Sequence, residues 1–230
     1  MQDSIYTIPI SEVFEPKEGC PICRLRKMLE DRCVDYIMGA AMMEPDIRQE
    51  TNRLGFCKDH FAQMIGRQKR LPLALILESH LAQVEKNVLG GLTFGSKGKS
   101  KKASKLEQSC YVCHKIDGAL DKMLDTTLTV YAREADFRKL YAGQECLCLP
   151  HYTVLCQLAA EKLGKKESPE FIKVSTKLAK DYLAELRGDV SHFCKMFDYR
   201  NSGENADWGN SRDAVERAIW FLTGWDPEAK

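Results

Sequence analysis

The sequence lacks the long hydrophobic runs and the one-sided charge that would assign it to a membrane or to a nucleic acid. No stretch approaches the roughly 18 consecutive apolar residues that a membrane-spanning helix needs. The 34 basic residues almost balance the 33 acidic ones, and the formal net charge is +1. Proteins that bind nucleic acids usually have a large basic excess. We therefore expect no membrane span and no nucleic-acid partner.

Signatures of export and of catalysis are also missing. The first ten residues, MQDSIYTIPI, have neither the basic region nor the apolar region of a signal peptide, so we expect a cytoplasmic protein. The sequence contains no glycine-rich phosphate loop, no HExxH motif and no nucleophile elbow. It therefore predicts no particular reaction, and whether the protein is an enzyme is left open.

Cysteine, in contrast, is abundant, with ten residues in a chain of 230. In a chain without an export signal, cysteines more often bind metal or do redox chemistry than form structural disulfides. The composition is otherwise ordinary for a globular protein, with 44% hydrophobic and 29% charged residues. The cysteines are therefore the most informative residues of the sequence.

Eight Cys and His residues form a motif that occurs twice. In each copy a CxxC pair precedes a CxxH pair, with 33 residues between the pairs in the first copy and 34 in the second. Matched spacing of this kind indicates an internal duplication. The first copy consists of Cys20, Cys23, Cys57 and His60, and the second consists of Cys110, Cys113, Cys148 and His151.

Each copy offers three thiols and one imidazole. Four such ligands in a tetrahedron are typical of zinc, whereas iron–sulfur clusters usually prefer four cysteines. We therefore expect each copy to bind one zinc ion, giving two ions per chain, and iron or an iron–sulfur cluster is the second choice. A site with four protein ligands has no open position for a substrate, so a structural role is expected.

The cysteines also leave alternatives open. Either CxxC pair could act as a redox dithiol, and a site that lacked its histidine would be an open metal centre. The sequence therefore also permits a metalloenzyme or a thiol-redox enzyme. Cys146 lies two residues before Cys148 and could replace a ligand there. Cys33, Cys156 and Cys194 fall at the spacing of helix faces and are expected in the core.

The apolar pattern predicts an all-α fold of two duplicated metal-knuckle helical modules joined by a long C-terminal helix. Apolar residues three or four apart run through residues 24–43, 73–88 and 116–131, and no segment shows the sustained alternation of a strand. A longer stripe follows the cap Ser168 and Pro169 and predicts a helix of about 28 residues. After Ser211, a last helix is expected to face inward with Val215, Ala218, Ile219 and Leu222.

These features predict four parts along the chain. Residues 1–89 and 107–165 each hold one CxxC/CxxH helical module. Residues 90–106 are rich in glycine, serine and lysine and are expected to form a flexible basic linker. Residues 166–230 hold the long helix, a polar loop and the final helix.

Two polar clusters outside the motifs are candidate ligand-binding residues. One is the segment FDYRN at the end of the long helix, and the other precedes Cys57. An arginine in such a cluster is a fork-shaped donor for anions. The leading hypothesis is therefore a zinc-stabilised binding or adaptor protein with an unknown protein or small-molecule partner. Its speculative ligand site consists of Arg53, Asp198, Tyr199 and Arg200.

Three runs of sequence, CPICRL, PDIRQETNRLGFCKDHF and FDYRN, resemble an uncharacterised family of bacterial proteins of the Firmicutes type. The resemblance covers nearly the whole chain, including SRDAVERAIWFLTG near its end. It implies a bacterial cytosolic protein with two CxxC/CxxH motifs. It implies no activity and adds no catalytic residue.

Overall fold

A computed structural model of the chain describes residues 7–90, 96–198 and 207–225. Within these ranges the protein is helical and contains no strand, which confirms the predicted all-α class. None of the described helices has the length and hydropathy needed to cross a bilayer. The helices are α1 (Thr7–Phe14), α2 (Pro21–Ile37), α3 (Pro45–Leu54), α4 (Lys58–Gly66), α5 (Arg70–Val84), α6 (Ser96–Glu107), α7 (Tyr111–Arg133), α8 (Ala135–Ala142), α9 (Leu149–Lys162), α10 (Glu167–Met196) and α11 (Ala214–Thr223), with a 3-10 turn at Ala40–Met43 and a π turn at Glu85–Leu89.

The chain forms two compact units. Unit 1 contains residues 1–25 and 122–230, and unit 2 contains residues 26–121. The chain therefore passes from one unit to the other twice, once within α2 and once within α7. Each of these long helices therefore begins in one unit and ends in the other.

Unit 2 has its own apolar core. The second half of α2 contributes Val34 and Ile37, which are fully buried. Met64 of α4, Ile76 of α5 and Ile116 of α7 complete the centre of the same cluster. The apolar side chains of these helices recur three or four residues apart, so each helix presents one face to the core.

A turn at Gly55 joins three helices of unit 2. Gly55 ends α3 with a φ of 60°, which favours glycine, and its carbonyl oxygen accepts the backbone N–H of Tyr111 at 2.9 Å. A Cβ at this position would lie 3.1 Å from the ring of His80 in α5. This close packing places Cys57, two residues later, near Cys110, one residue before Tyr111.

Unit 1 is centred on aromatic rings. Tyr131 of α7 and Tyr141 of α8 both pack against Phe171 of α10, with ring centroids 4.8 Å apart in each case. Phe14 of α1 contacts Tyr141 at 6.0 Å. The Tyr141 hydroxyl lies 2.7 Å from the Ser175 hydroxyl, so the buried phenol is hydrogen-bonded. The rings therefore hold α1, α7, α8 and α10 together.

The long C-terminal helix is confirmed. α10 has 30 residues, against the predicted length of about 28, and begins one residue before the predicted cap Ser168. Four members of the predicted stripe are buried along it. They are Phe171, Leu178, Tyr182 and Leu186.

Most of the predicted flexible linker is a helix where the structure describes it. α6 covers Ser96–Glu107, and residues 91–95 lie outside the described ranges. The Lys99 ammonium donates to the Leu89 carbonyl oxygen at 3.1 Å, and that of Lys102 donates to the Asn87 carbonyl oxygen at 3.2 Å. Lysines that donate to the last carbonyl groups of a helical turn stabilise the end of that turn. These two hydrogen bonds therefore attach α6 to the π turn that precedes it.

The predicted inward face of the last helix is wrong. Val215 is 39% exposed, Ile219 is 36% exposed and Leu222 is 56% exposed. The buried residues of α11 are instead Ala214 and Phe221.

Packing against α10 sets the rotation of α11. The Phe221 ring lies 5.7 Å from the Tyr182 ring, and the Trp220 ring lies 6.0 Å from it. The Arg217 guanidinium forms an ion pair with Asp189 at 2.9 Å. Because both faces of α11 carry apolar residues, its partner helices α10 and α9 decide which face is buried.

Candidate metal centres

Four equivalent half-sites hold the predicted ligands, and each half-site is the beginning of a helix. In every case the first ligand precedes the helix and the second lies three residues later, in its first turn. Residues three apart at the start of a helix lie on the same side, so both donor atoms can reach one ion. In every case the carbonyl of the first cysteine also accepts the N–H of the fourth residue along, at 2.9–3.2 Å. The half-sites begin α2 at Cys20, α4 at Cys57, α7 at Cys110 and α9 at Cys148.

The half-sites combine into two clusters, and the combination differs from the expected one. All eight predicted ligands belong to a cluster, with their donor atoms within 4.8 Å of one another. The expectation that each copy forms its own cluster is wrong, because each CxxC pairs with the CxxH of the other copy. Cluster 1, in unit 1, consists of Cys20, Cys23, Cys148 and His151, and cluster 2, in unit 2, consists of Cys57, His60, Cys110 and Cys113.

Helix lengths explain this exchange. The helix α2 has 17 residues from Pro21 to Ile37, and the part after Cys23 is about 21 Å long at 1.5 Å per residue. The following α3 has 10 residues, about 15 Å, and is shorter than this part of α2. In the second copy, α7 has 23 residues and α8 only 8. The CxxC and the CxxH of one copy therefore belong to different units, and each CxxH meets the CxxC of the other copy.

Cluster 1 has the dimensions of a tetrahedral zinc site. The His151 Nδ1 lies 3.1 Å from the Cys148 Sγ, 3.4 Å from the Cys23 Sγ and 3.7 Å from the Cys20 Sγ. The sulfurs of Cys23 and Cys148 are 3.6 Å apart. With Zn–S near 2.3 Å and Zn–N near 2.1 Å, tetrahedral edges are about 3.8 Å between sulfurs and about 3.6 Å between sulfur and nitrogen. The donors therefore surround a space that fits one zinc ion.

Cluster 2 repeats this arrangement. The His60 Nδ1 lies 3.1 Å from the Cys57 Sγ, 3.3 Å from the Cys110 Sγ and 3.5 Å from the Cys113 Sγ. The sulfurs of Cys57 and Cys113 are 4.0 Å apart. A nitrogen that faces three sulfurs at such distances is better explained by a shared cation than by three hydrogen bonds to one atom.

Electrostatics of the thiols in cluster 1 also favour a cation. Although burial alone would raise the pKa of the Cys20 thiol, hydrogen bonds with Cys148, Cys23 and His151 hold that pKa well below its ordinary value. Hydrogen bonds to Cys148 and Cys20 raise the pKa of Cys23, and the hydrogen bond to Cys20 raises the pKa of Cys148 to about 12. One thiolate thus opposes the deprotonation of the other two thiols, and a divalent cation would offset the repulsion among the three negative charges.

The thiols of cluster 2 behave in the same way. Against the effect of burial, the hydrogen bond with His60 lowers the pKa of Cys110 to about 6. Burial and the neighbouring Cys110 thiolate raise the pKa of Cys113. Three thiolates in this space require a positive charge among them.

Arg24 is a neighbour of cluster 1 that the sequence reasoning missed. It directly follows Cys23, and its guanidinium donates to the Val13 carbonyl oxygen and lies 3.5 Å from the Gln144 side-chain oxygen. Burial lowers the pKa of Arg24, whereas the nearby Cys20 thiolate raises it. Zinc with three thiolates carries a net negative charge, which this guanidinium can offset. The only signal in the sequence is the adjacency of a cation to the CxxC pair.

The four remaining cysteines lie outside both clusters. Cys146 is buried but belongs to neither ligand set. Cys33 is half-buried against the core of unit 2, and Cys156 is half-buried as well. Cys194 is exposed, so its predicted place in the core is wrong.

The speculative ligand site lies only partly within the described residues. Arg53 lies exposed on α3 of unit 2, where its guanidinium pairs with Glu50 at 2.8 Å. Asp198 follows α10 in unit 1, and Tyr199 and Arg200 lie outside the described residues. The site stays a prediction.

Comparison with known proteins identifies a family but no characterised relative. No curated protein and no solved structure matches the chain. The family profile of DUF6062, described as a family of unknown function, matches residues 1–229. The chain therefore belongs to this family of unknown function.

Proposed function

We propose that the protein binds two zinc ions, one in each cluster, and that these ions stabilise a helical protein that acts by binding a partner. The observation that carries this proposal is the convergence of three sulfurs and one nitrogen on one point, twice, at separations of 3.1–4.0 Å. The four half-sites share one local geometry at a helix start, and they supply three sulfurs and one nitrogen in each unit.

The donor set favours zinc among the common metals. Thiolates and imidazole are soft or borderline ligands, which excludes magnesium and calcium as natural occupants. Iron–sulfur clusters usually take four cysteines, whereas a tetrahedral set of three cysteines and one histidine is an established zinc site.

Closed coordination supports a structural role. Zinc that acts in catalysis keeps a position for water or substrate, and four protein ligands fill a tetrahedral shell. The ligands are also poorly accessible, since Cys20, His60, Cys110 and Cys148 are buried. Because a structural zinc site contributes about 10 kcal/mol or more to folding, each ion is expected to be essential for its unit.

Metal analysis combined with X-ray absorption tests the proposal. We expect two zinc ions per purified chain, with a first shell of three sulfurs near 2.3 Å and one nitrogen near 2.0 Å. Exhaustive chelation should then remove helicity and lower the melting temperature. A chain that carries no cation, or that keeps its full helicity after chelation, contradicts the proposal.

The same experiment separates structural zinc from the enzymes that the sequence permits. An oxygen scatterer in the first shell would indicate an open position and a metalloenzyme. Rapid labelling of Cys20, Cys23, Cys110 or Cys113 in the zinc-loaded protein would indicate a thiol-redox enzyme. Unreactive thiols and a shell without oxygen support the structural role.

A further inference from the structure

The two clusters are nested along the chain. All ligands of cluster 2 lie between residues 57 and 113, inside the segment that separates the two halves of cluster 1. Cys23 and Cys148 of cluster 1 are 125 residues apart, and Cys57 and Cys113 of cluster 2 are 56 residues apart. Unit 2 is therefore an insertion within unit 1, and the chain that closes cluster 1 contains all of unit 2.

We propose, on the basis of the two zinc sites proposed above, that zinc binding to the two clusters is positively cooperative. Zinc in one cluster raises the affinity of the other, and the effect is reciprocal because a coupling free energy belongs to both sites equally. Two features of the structure carry this coupling. One is the effective length of the loop that cluster 1 closes, and the other is the continuity of α2 and α7.

Folding of unit 2 shortens the loop that cluster 1 closes. Within unit 2, the Arg26 guanidinium lies 3.9 Å from the Asp117 carboxylate, so the two ends of the insertion are neighbours. Once unit 2 is folded, the flexible path from Cys23 to Cys148 falls from 125 residues to about 34. Closure probability varies with about the −3/2 power of loop length, so this shortening favours cluster 1 about sevenfold.

Two helices each connect a ligand of one cluster to the core of the other unit. α2 begins at cluster 1, which holds Cys23, and its second half buries Val34 in unit 2. α7 begins at cluster 2, which holds Cys113, and its second half buries Leu128 in unit 1. Helix formation is cooperative, so ordering either end of these helices helps to order the other. This effect adds to that of the loop and makes the sevenfold figure a lower estimate.

Native mass spectrometry with zinc as the titrant tests this coupling, because it counts empty, singly loaded and doubly loaded chains. Cys148→Ser disables cluster 1 and yields the affinity of cluster 2 alone, and Cys110→Ser yields that of cluster 1 alone. In the unmodified chain, we expect the product of the empty and doubly loaded populations, divided by the square of the singly loaded population, to exceed the value predicted from these two affinities by at least about sevenfold. This ratio measures the excess of doubly loaded chains. Agreement within about twofold overturns the proposal. A chain that binds no zinc overturns the proposed function instead.

A second pair of variants keeps all eight ligands. Gly118 lies inside α7, where a Cβ would meet no atom within 4 Å. Gly118 lies between Cys113 and the half of α7 that belongs to unit 1. Gly118→Pro removes the backbone N–H that position 118 donates within the helix, whereas Gly118→Ala preserves the helix. We expect the excess of doubly loaded chains to persist in G118A and to fall by at least about twofold in G118P. An equal excess in both variants overturns the role of α7.

Discussion

At the scale of single residues, each cluster needs a particular donor atom at each of its four positions. Each cysteine before a helix places its sulfur beside the donor three residues later, and the imidazoles of His60 and His151 turn Nδ1 toward the sulfurs. Serine keeps the shape of cysteine but is a poor zinc ligand, since zinc in such sites prefers a thiolate. Loss of one ligand is therefore expected to empty one cluster.

Ligand loss and loss of an exposed cysteine should differ clearly. Cys57→Ser is expected to lower the zinc content by one ion per chain and to lower the free energy of unfolding by several kcal/mol, about 3 or more. Cys194→Ser, at an exposed position on α10, should leave the zinc content unchanged and alter the free energy of unfolding by no more than about 0.5 kcal/mol. Elemental analysis and thermal unfolding measure both effects. Equal zinc content in the two variants would show that Cys57 is not a ligand.

Two glycines provide a matched test of backbone strain. Gly55→Ala places a Cβ 3.1 Å from the His80 ring at a φ of 60°, and should cost about 1–2 kcal/mol of stability. Gly118→Ala adds a Cβ with no atom within 4 Å inside α7, and should stabilise the protein by about 0.5–1 kcal/mol. Denaturant titration with both variants checks the opposite signs. Two changes of the same sign would contradict this account of Gly55.

At the scale of secondary-structure elements, helix starts and helix rotations decide the site and the packing. The half-sites use the first turn of α2, α4, α7 and α9, where the positive end of the helix dipole also favours thiolates. The rotation of α11 depends on its contacts with α10, through Phe221 and Arg217. The position of a half-site at a helix start is local to that helix, whereas the rotation of α11 depends on a partner helix.

Neighbouring residues on α11 test its rotation. Phe221 is 2% exposed and packs on Tyr182, so Phe221→Ala should cost about 3–5 kcal/mol. Leu222 is 56% exposed, so Leu222→Ala should cost less than about 0.5 kcal/mol. Chemical unfolding of both variants measures the difference. A larger loss of stability in Leu222→Ala than in Phe221→Ala would indicate that the face predicted from the sequence is the buried one.

At the scale of the whole molecule, each of the two units contains one cluster of candidate metal ligands, and the chain passes between the units through continuous helices. Cluster 1 joins the N-terminal helices of unit 1 to its C-terminal part, and cluster 2 joins α4 to α7 within unit 2. Each set of ligands must lose its thiol protons to bind zinc, so the proposed zinc sites predict that the stability of both units depends on pH.

Acid should release the zinc and unfold the chain. Three thiols and one imidazole per cluster must be deprotonated in the zinc complex, so zinc affinity falls as pH falls. We expect the melting temperature of the zinc-loaded protein to fall progressively below about pH 6, together with the release of both ions. A chromogenic zinc indicator and circular dichroism follow the two events. Zinc retained at pH 4 with an unchanged melting temperature would contradict the thiolate ligand set.

The sequence by itself determined the donor atoms and most of the helices. The spacing of Cys20 and Cys23, or of Cys57 and His60, is a local property, because residues three apart at a helix start share one side whatever the rest of the chain does. Apolar periodicity likewise predicted α10, since a stripe three to four residues apart fixes a helix within its own segment.

Only the tertiary structure decided which half-sites meet and which face of α11 is buried. The spacing of the motifs does not reveal in which direction the chain runs in space, and it is nearly identical in the two copies. The sequence therefore could not show whether a CxxC pairs with the CxxH of its own copy or of the other copy. The helix α2 carries the chain about 21 Å beyond Cys23 and into unit 2, where Cys57 meets Cys110 and Cys113. The place of Arg24 beside cluster 1 was equally hidden, because its partners Val13 and Gln144 come from other segments, 11 and 120 residues away along the chain.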